Sequence, residues 1–157
     1  MKFADFICFE AIIPELKAKD RDDVIEELVT ALDKAGRLGN GNCKKIVEAV
    51  IKRENEASTG IGKGVAIPHI KSTVVKKPVA TVGRSSSGID FSSLDKQPVY
   101  SVIFLVSPLG SDDEHLQIME SIFRHLQKDR FRKFLRQSQT AGAIEELLKE
   151  ADDDPYL

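Results

Sequence analysis

An α/β sandwich is the fold this sequence predicts, and three features predict it. Apolar residues recur at helical spacing in two segments before residue 57 and three after residue 110. Between them lie β-type runs, above all the unbroken apolar stretch around residues 99–106. Helices at both ends of the chain with strands between give a three-layer α/β sandwich, a mixed β-sheet flanked by helices, or a related α+β arrangement.

In chain order, the first helix is expected over residues 22–38. Val24, Ile25, Leu28, Val29 and Leu32 form its stripe, and Gly36 and Gly39 supply the stop. A second is expected over 42–56, with Asn42 as N-cap and Ile46, Val47, Val50 and Ile51 on the apolar side. Residues 65–67 suit a short strand leading to His69. Residues 78–84 alternate in strand fashion, and 85–88 (Ser-Ser-Ser-Gly) have turn chemistry. The run 99–106 reads as a strand buried on both faces, ending at Ser107-Pro108. Ser111 or Asp112 then caps a helix through about 127, with Asp113 and Glu114 in its first turn, where the helix dipole favours acids. Helices over about 130–137 and 140–151 follow, and the acidic tail 152–157 is expected to fray.

The chain has 157 residues, 41% hydrophobic and 31% charged, which suits one soluble globular domain spanning 1–157. A net charge of −2 argues against a dedicated nucleic-acid binder. Asp5 and Glu10 interrupt the apolar start, so it does not read as a secretory signal. The longest apolar run is far too short to span a membrane. Cys8 and Cys43 have no CxxC spacing and form no disulfide framework; they read as reduced thiols in a cytoplasmic protein.

The chemistry concentrates in residues 53–69, where a glycine-punctuated loop ends in Ile67-Pro68-His69. Gly60-Ile61-Gly62-Lys63-Gly64 is not a dinucleotide fingerprint, because Val65 stands at the third glycine position. Nor is it a Walker A loop, since Lys63 precedes glycine instead of Ser or Thr. It is either an ordinary flexible turn or a loop whose backbone N–H groups approach a phosphate. Pro68 restricts the backbone around His69. A neutral imidazole with one nitrogen held and the other free is a competent nucleophile, and phosphoryl transfer asks mainly for alignment and positive or N–H groups around the phosphoryl oxygens. From the residues alone, a structural His69 is equally open. His115 and His125 are ten apart on one expected helix, roughly 80° short of three full turns, and so do not face each other as a ligand pair. A metal-dependent hydrolase would rest on histidine count only.

These motifs resemble the enzyme IIA domains of the bacterial sugar phosphotransferase system, in their fructose/mannitol/nitrogen-regulatory family. The resemblance covers nearly the whole chain. It rests on Arg53-Glu54, Ser58 to Gly62 and Ile67-Pro68-His69, then on Gly83-Arg84, Gly88-Ile89-Asp90-Phe91 and Asp95 with Pro98-Val99. Val102 to Val106, Glu114-His115-Leu116, Asp129-Arg130-Phe131 and Glu145-Glu146-Leu147 complete it. It implies that His69 accepts a phosphoryl group, that His115 sits beside it and steadies the group, and that Arg53 is the nearby cation. It implies a histidine phosphocarrier protein as donor, a IIB domain with an acceptor cysteine downstream, and no cofactor or metal. It equally admits a nitrogen-type regulator whose phosphorylation state gates binding to a target protein without sugar transport. The absence of a fused transport or IIB segment from the sequence as read favours that branch. A domain that keeps the fold and only binds is disfavoured by the joint presence of His69, His115 and Arg53.

Two positions depart from the family pattern: Ile70 where a small residue is common, and Lys63 where Asn is common. The basic cluster Arg130, Arg132, Lys133 and Arg136 reads as a solvated helix face or a dock for an acidic partner. Ile61, Val65, Ile67 and Ile70 read either as an apolar rim around His69 or as core.

Overall fold

The computed structural model describes residues 1–157. Two one-turn 3₁₀ segments open the chain and are followed by α1 (Arg21–Lys34) and α2 (Cys43–Glu56). Five strands come next: β1 (Gly60–Gly62), β2 (Val65–Ala66), β3 (His69–Ser72), β4 (Val79–Ile89) and β5 (Val99–Pro108). The chain ends in α3 (Asp112–Leu126), α4 (Asp129–Gln137) and α5 (Ala141–Asp153).

β5 is the centre of the sheet. Parallel β2 and β3 share one of its edges, and antiparallel β4 takes the other. β2 and β3 are one strand line broken at Ile67-Pro68, and Pro68 keeps the line joined through its carbonyl, which accepts from Leu105 N at 3.0 Å. A proline has no N–H to give the ladder, so the break falls where the sequence places it. The strict alternation of β5 builds both cores. Val102, Phe104 and Val106 face the layer of α1 and α2, whereas Ile103 and Leu105 face that of α3, α4 and α5. The mixed sheet between helical layers is the predicted sandwich.

Local details differ from expectation in four places. Residues 85–88 do not end the strand: they bulge out of β4, with Gly88 N donating to Ser85 Oγ at 3.0 Å, and pairing resumes at Ile89 opposite Val99. Gly88 has φ +87°, which suits this bulge. Asn42 precedes α2 but does not cap it; its Nδ2 donates to the Leu38 carbonyl at 2.7 Å and closes the turn between α1 and α2. Ser111 occupies the N-cap position of α3 without a side-chain cap bond.

The tail 152–157 is not a loose end. The Asp152 carboxylate accepts from Phe3 N (2.6 Å) and Ala4 N (3.0 Å), and Leu157 is buried with its carbonyl against His125 Nδ1 at 2.7 Å. The first fifteen residues, which carry no clear periodicity, pair with β4 instead through parallel bridges at Ile7 and Ile13.

Candidate active site

Three elements carry the candidate residues: the C-terminal turn of α2 carries Arg53, the start of β3 carries His69, and the first turn of α3 carries His115. The fold brings the two imidazoles together, with ring centroids 5.6 Å apart and planes inclined by 43°.

The orientation of His69 is set from its own loop. Its Nδ1 lies 2.7 Å from the Ile67 carbonyl oxygen. A carbonyl only accepts, so Nδ1 is the protonated nitrogen and Nε2 keeps its lone pair. The Pro68 break makes this contact available, because Ile67 lies outside the ladder of β2 and β3. The loop is itself braced from α2. Glu54, 3% exposed, accepts from Thr59 N at 2.6 Å and from Thr59 Oγ1 at 2.5 Å, and the Thr59 carbonyl accepts from Ile67 N at 3.2 Å. A buried carboxylate thus holds Thr59, which holds Ile67, which orients the His69 ring.

His115 is held by Ser107. The serine hydroxyl, at the buried end of β5, is 2.7 Å from His115 Nδ1. With that hydroxyl donating, Nε2 of His115 carries the ring proton and is free to donate.

Charge completes the arrangement. Burial lowers the pKa of His69 below the ordinary imidazole value, and the positive charges of Arg53 and Lys71 lower it further; Glu54 and the Ile67 hydrogen bond oppose them. Burial also lowers that of His115, assisted by His69 and Lys71. Both rings are therefore neutral near pH 7. The Arg53 guanidinium is tied only at Nη1, which donates to the Ala57 carbonyl at 2.9 Å.

Lys71, Ser107 and Glu54 have no candidate role in the sequence reading. Lys71 stands two residues after His69 on β3, so both side chains leave the same face, and its Nζ pairs with Asp112 of α3 at 2.7 Å. The i, i+2 spacing was a usable signal for Lys71. Ser107 becomes visible only through the register of β5 against α3.

His125 lies elsewhere, packed against both Phe3 and Phe131 with centroids at 5.0 and 5.4 Å. Val65, Ile67 and Ile70 are core residues, not an exposed rim, and Ile61 is half-buried. No cluster of three or more His, Cys, Asp or Glu side chains has metal-binding geometry. No helix is long and apolar enough to cross a membrane.

The family model of the phosphoenolpyruvate-dependent sugar phosphotransferase system, EIIA 2, matches residues 6–151. This chain belongs to that family. It is 36% identical over 152 residues to the fructose-specific EIIABC component of Bacillus subtilis, covering 97% of this chain and 24% of that component's length. It is also 36% identical over 148 residues to a nitrogen regulatory protein of Bradyrhizobium diazoefficiens, covering 94% of this chain and 95% of the relative. The fructose-specific EIIA component of Haloferax volcanii is 31% identical over 141 residues, 90% of each chain. Among solved structures, the nitrogen regulatory protein IIA-Ntr of Neisseria meningitidis superposes with a TM-score of 0.84 at 23% identity, over 93% of this chain and 98% of that one. The mannitol IIA of Escherichia coli superposes with a TM-score of 0.73 at 22% identity, over 88% of this chain and 96% of that one. The family match and these relatives place the chain among the EIIA components of the phosphotransferase system, and the solved structures share its fold.

Proposed function

We propose that His69 accepts a phosphoryl group on Nε2 from the phosphohistidine of a small histidine phosphocarrier protein and passes it to the cysteine of a IIB domain. The observation that carries this reading is the 2.7 Å contact between His69 Nδ1 and the Ile67 carbonyl, which leaves Nε2 as the nucleophilic nitrogen. As the Nε2–P bond forms, the donor's N–P bond breaks and its electron pair returns to the donor ring. The positive charge that develops on His69 is shared with Nδ1–H, which the Ile67 carbonyl accepts. The phosphoryl oxygens are then met by His115 Nε2–H, with Arg53 and Lys71 as nearby cations. On the way out, a thiolate attacks phosphorus, the Nε2–P bond breaks, and the neutral ring is restored.

A relay of this kind docks transiently, and the surface suits it. Leu109 and Leu116, 58% and 59% exposed, bracket the start of α3 on which His115 sits. The solved complex of mannitol IIA with phosphorylated mannitol IIB from Escherichia coli has the same fold on the IIA side, with a TM-score of 0.73 at 21% identity. That likeness supports a IIB domain as the acceptor.

The test is incubation with phosphoenolpyruvate, enzyme I and the histidine phosphocarrier protein, read by intact mass. The expected product carries one acid-labile, base-stable phosphoryl group that is absent in His69→Ala. His115→Ala slows the transfer and leaves the acceptor in place. Normal labelling of His69→Ala would sink the assignment.

A second reading is a regulator whose phosphorylation at His69 gates binding to a target protein. The 36% identity to a nitrogen regulatory protein along 95% of its length supports it. Capture of partners from a lysate by phosphorylated and unphosphorylated protein separates the two, since equal binding of every partner in both states counts against regulation.

A further inference from the structure

A cavity of about 810 Å3 lies away from His69, at the start of the central strand. Its walls are the loop at Lys63 and Gly64, the first residues of β5, and α4; neither His69, His115 nor Arg53 lines it. Its size is that of a small-molecule site.

Three observations describe what it would hold. The lining is cationic: Lys63, Arg84, Arg132, Lys133 and Arg136 face only two carboxylates, in a chain of net charge −2. Both carboxylates are already engaged. Asp95 accepts from Lys63 N (2.9 Å) and Gln97 N (3.0 Å), and Asp129 pairs with Arg132. Lys63 and Lys133 form no ion pair and stand exposed.

The floor is the second observation. Arg84 of β4 and Ser101 of β5 are directly opposed in the ladder, and only 8% and 3% exposed. The Arg84 guanidinium donates from Nε to the Arg136 carbonyl (2.6 Å) and from Nη1 to the Pro14 carbonyl (3.1 Å) and the Ser86 hydroxyl (3.5 Å), and Nη1 also pairs with Glu15 at 3.6 Å, while Nη2 has no hydrogen-bond partner. Ser101 Oγ has none either: the hydrogen bond of this residue is made by its backbone N–H, to the Gly64 carbonyl. Neither atom is sealed off, so both stand as free donors at the cavity surface, open to an acceptor that enters it.

The third is shape. Arg136 is spread over the Tyr100 ring, its guanidinium carbon 3.6 Å from the centroid, which keeps that fork at the cavity wall. Fixed arginine forks with flanking lysines match the tetrahedral, multiply charged oxygens of a phosphate.

We propose that this cavity is a second ligand site that binds a small phosphate-bearing molecule. It does not depend on the role of His69. A small ligand fits better than an acidic protein surface, because Arg84 and Ser101 lie at the bottom of a concave site on the sheet. Lys63 belongs to this cavity's lining and is absent from the charges that act on His69.

The test is titration of the ¹⁵N-labelled full chain with sodium pyrophosphate at low salt, followed by amide chemical shifts. Saturable shifts are expected at Gly64, Ser101 and along α4, without matching shifts at His69 and His115. Ser101→Ala should weaken binding about tenfold, as loss of a hydrogen bond to a charged group does. The exposed substitution Lys133→Gln should weaken it several-fold and leave phosphorylation at His69 unchanged. Shifts that never saturate, that centre on His69 and His115, or that ignore both substitutions would overturn the proposal. Saturation of the same amides by a polyglutamate peptide but not by pyrophosphate would overturn it too, in favour of an acidic protein partner.

Discussion

Replacing Thr59 by valine tests how the nucleophile is held. The two side chains are nearly isosteric, so the change removes one hydroxyl and little volume. In the native chain that hydroxyl donates to Glu54 Oε1 at 2.5 Å, inside a site where Glu54 is 3% exposed. Its loss leaves a buried carboxylate with the Thr59 backbone N–H as its remaining partner. A hydrogen bond to a charged buried group contributes about 1.5–3 kcal/mol. For a chain of this size, each kcal/mol moves the melting temperature by about 2–4 °C, so Tm should fall by about 3–12 °C. The damage should also reach the chemistry, because Thr59 holds Ile67 N at 3.2 Å and the Ile67 carbonyl orients His69. A misplacement of about 1 Å is enough to cost up to about 10²-fold in rate. The assay pairs thermal unfolding by circular dichroism with single-turnover phosphorylation from the phosphorylated histidine carrier. A Tm within about 1 °C of the parent, together with an unchanged rate, would refute the brace from Glu54 to His69.

Three further outcomes follow from the same geometry. Ser107→Ala removes the partner of His115 Nδ1 and should slow phosphoryl transfer while His69 remains the labelled residue; single-turnover rates and the His115 tautomer by NMR check it. All three histidines have pKa values depressed in the fold, mainly by burial, so the unfolded chain takes up protons first. Stability should therefore be fully present above about pH 7, fall as pH drops through the unfolded value of about 6.5, and go on falling until the folded rings protonate; urea midpoints across pH 5.5–7.5 (roughly this window) measure it. Asp152→Ala unties Phe3 N and Ala4 N and should cost about 1–3 kcal/mol by urea denaturation, whereas a frayed tail would cost nothing.

The sheet centre and both helical layers were legible because their cause is periodic. In residues 99–106, alternate side chains enter opposite cores, and an unbroken apolar run is what two buried faces require. The segment 85–88 was misread because turn chemistry also builds bulges, and only the pairing of Ile89 with Val99 distinguishes them. The tail was misread because what ties it down, the backbone of Phe3 and Ala4, lies at the far end of the chain. At the site, His69 stood out through a local cause, the proline break. Its brace did not, since Glu54, Thr59 and Ile67 meet only when β1 and β2 fold back on α2. Ser107 looked like the end of an apolar strand until α3 placed His115 against its hydroxyl.

The central claim is that Nε2 of His69 carries the phosphoryl group, and nitrogen-resolved NMR of the phosphorylated ¹⁵N-labelled protein tests it most directly. Long-range ¹H–¹⁵N correlations separate the two ring nitrogens of each histidine. The account predicts one modified ring, His69, with phosphorus on Nε2 and the proton retained on Nδ1. Phosphorus on Nδ1 of His69, or on His115 with His69 unmodified, would contradict it.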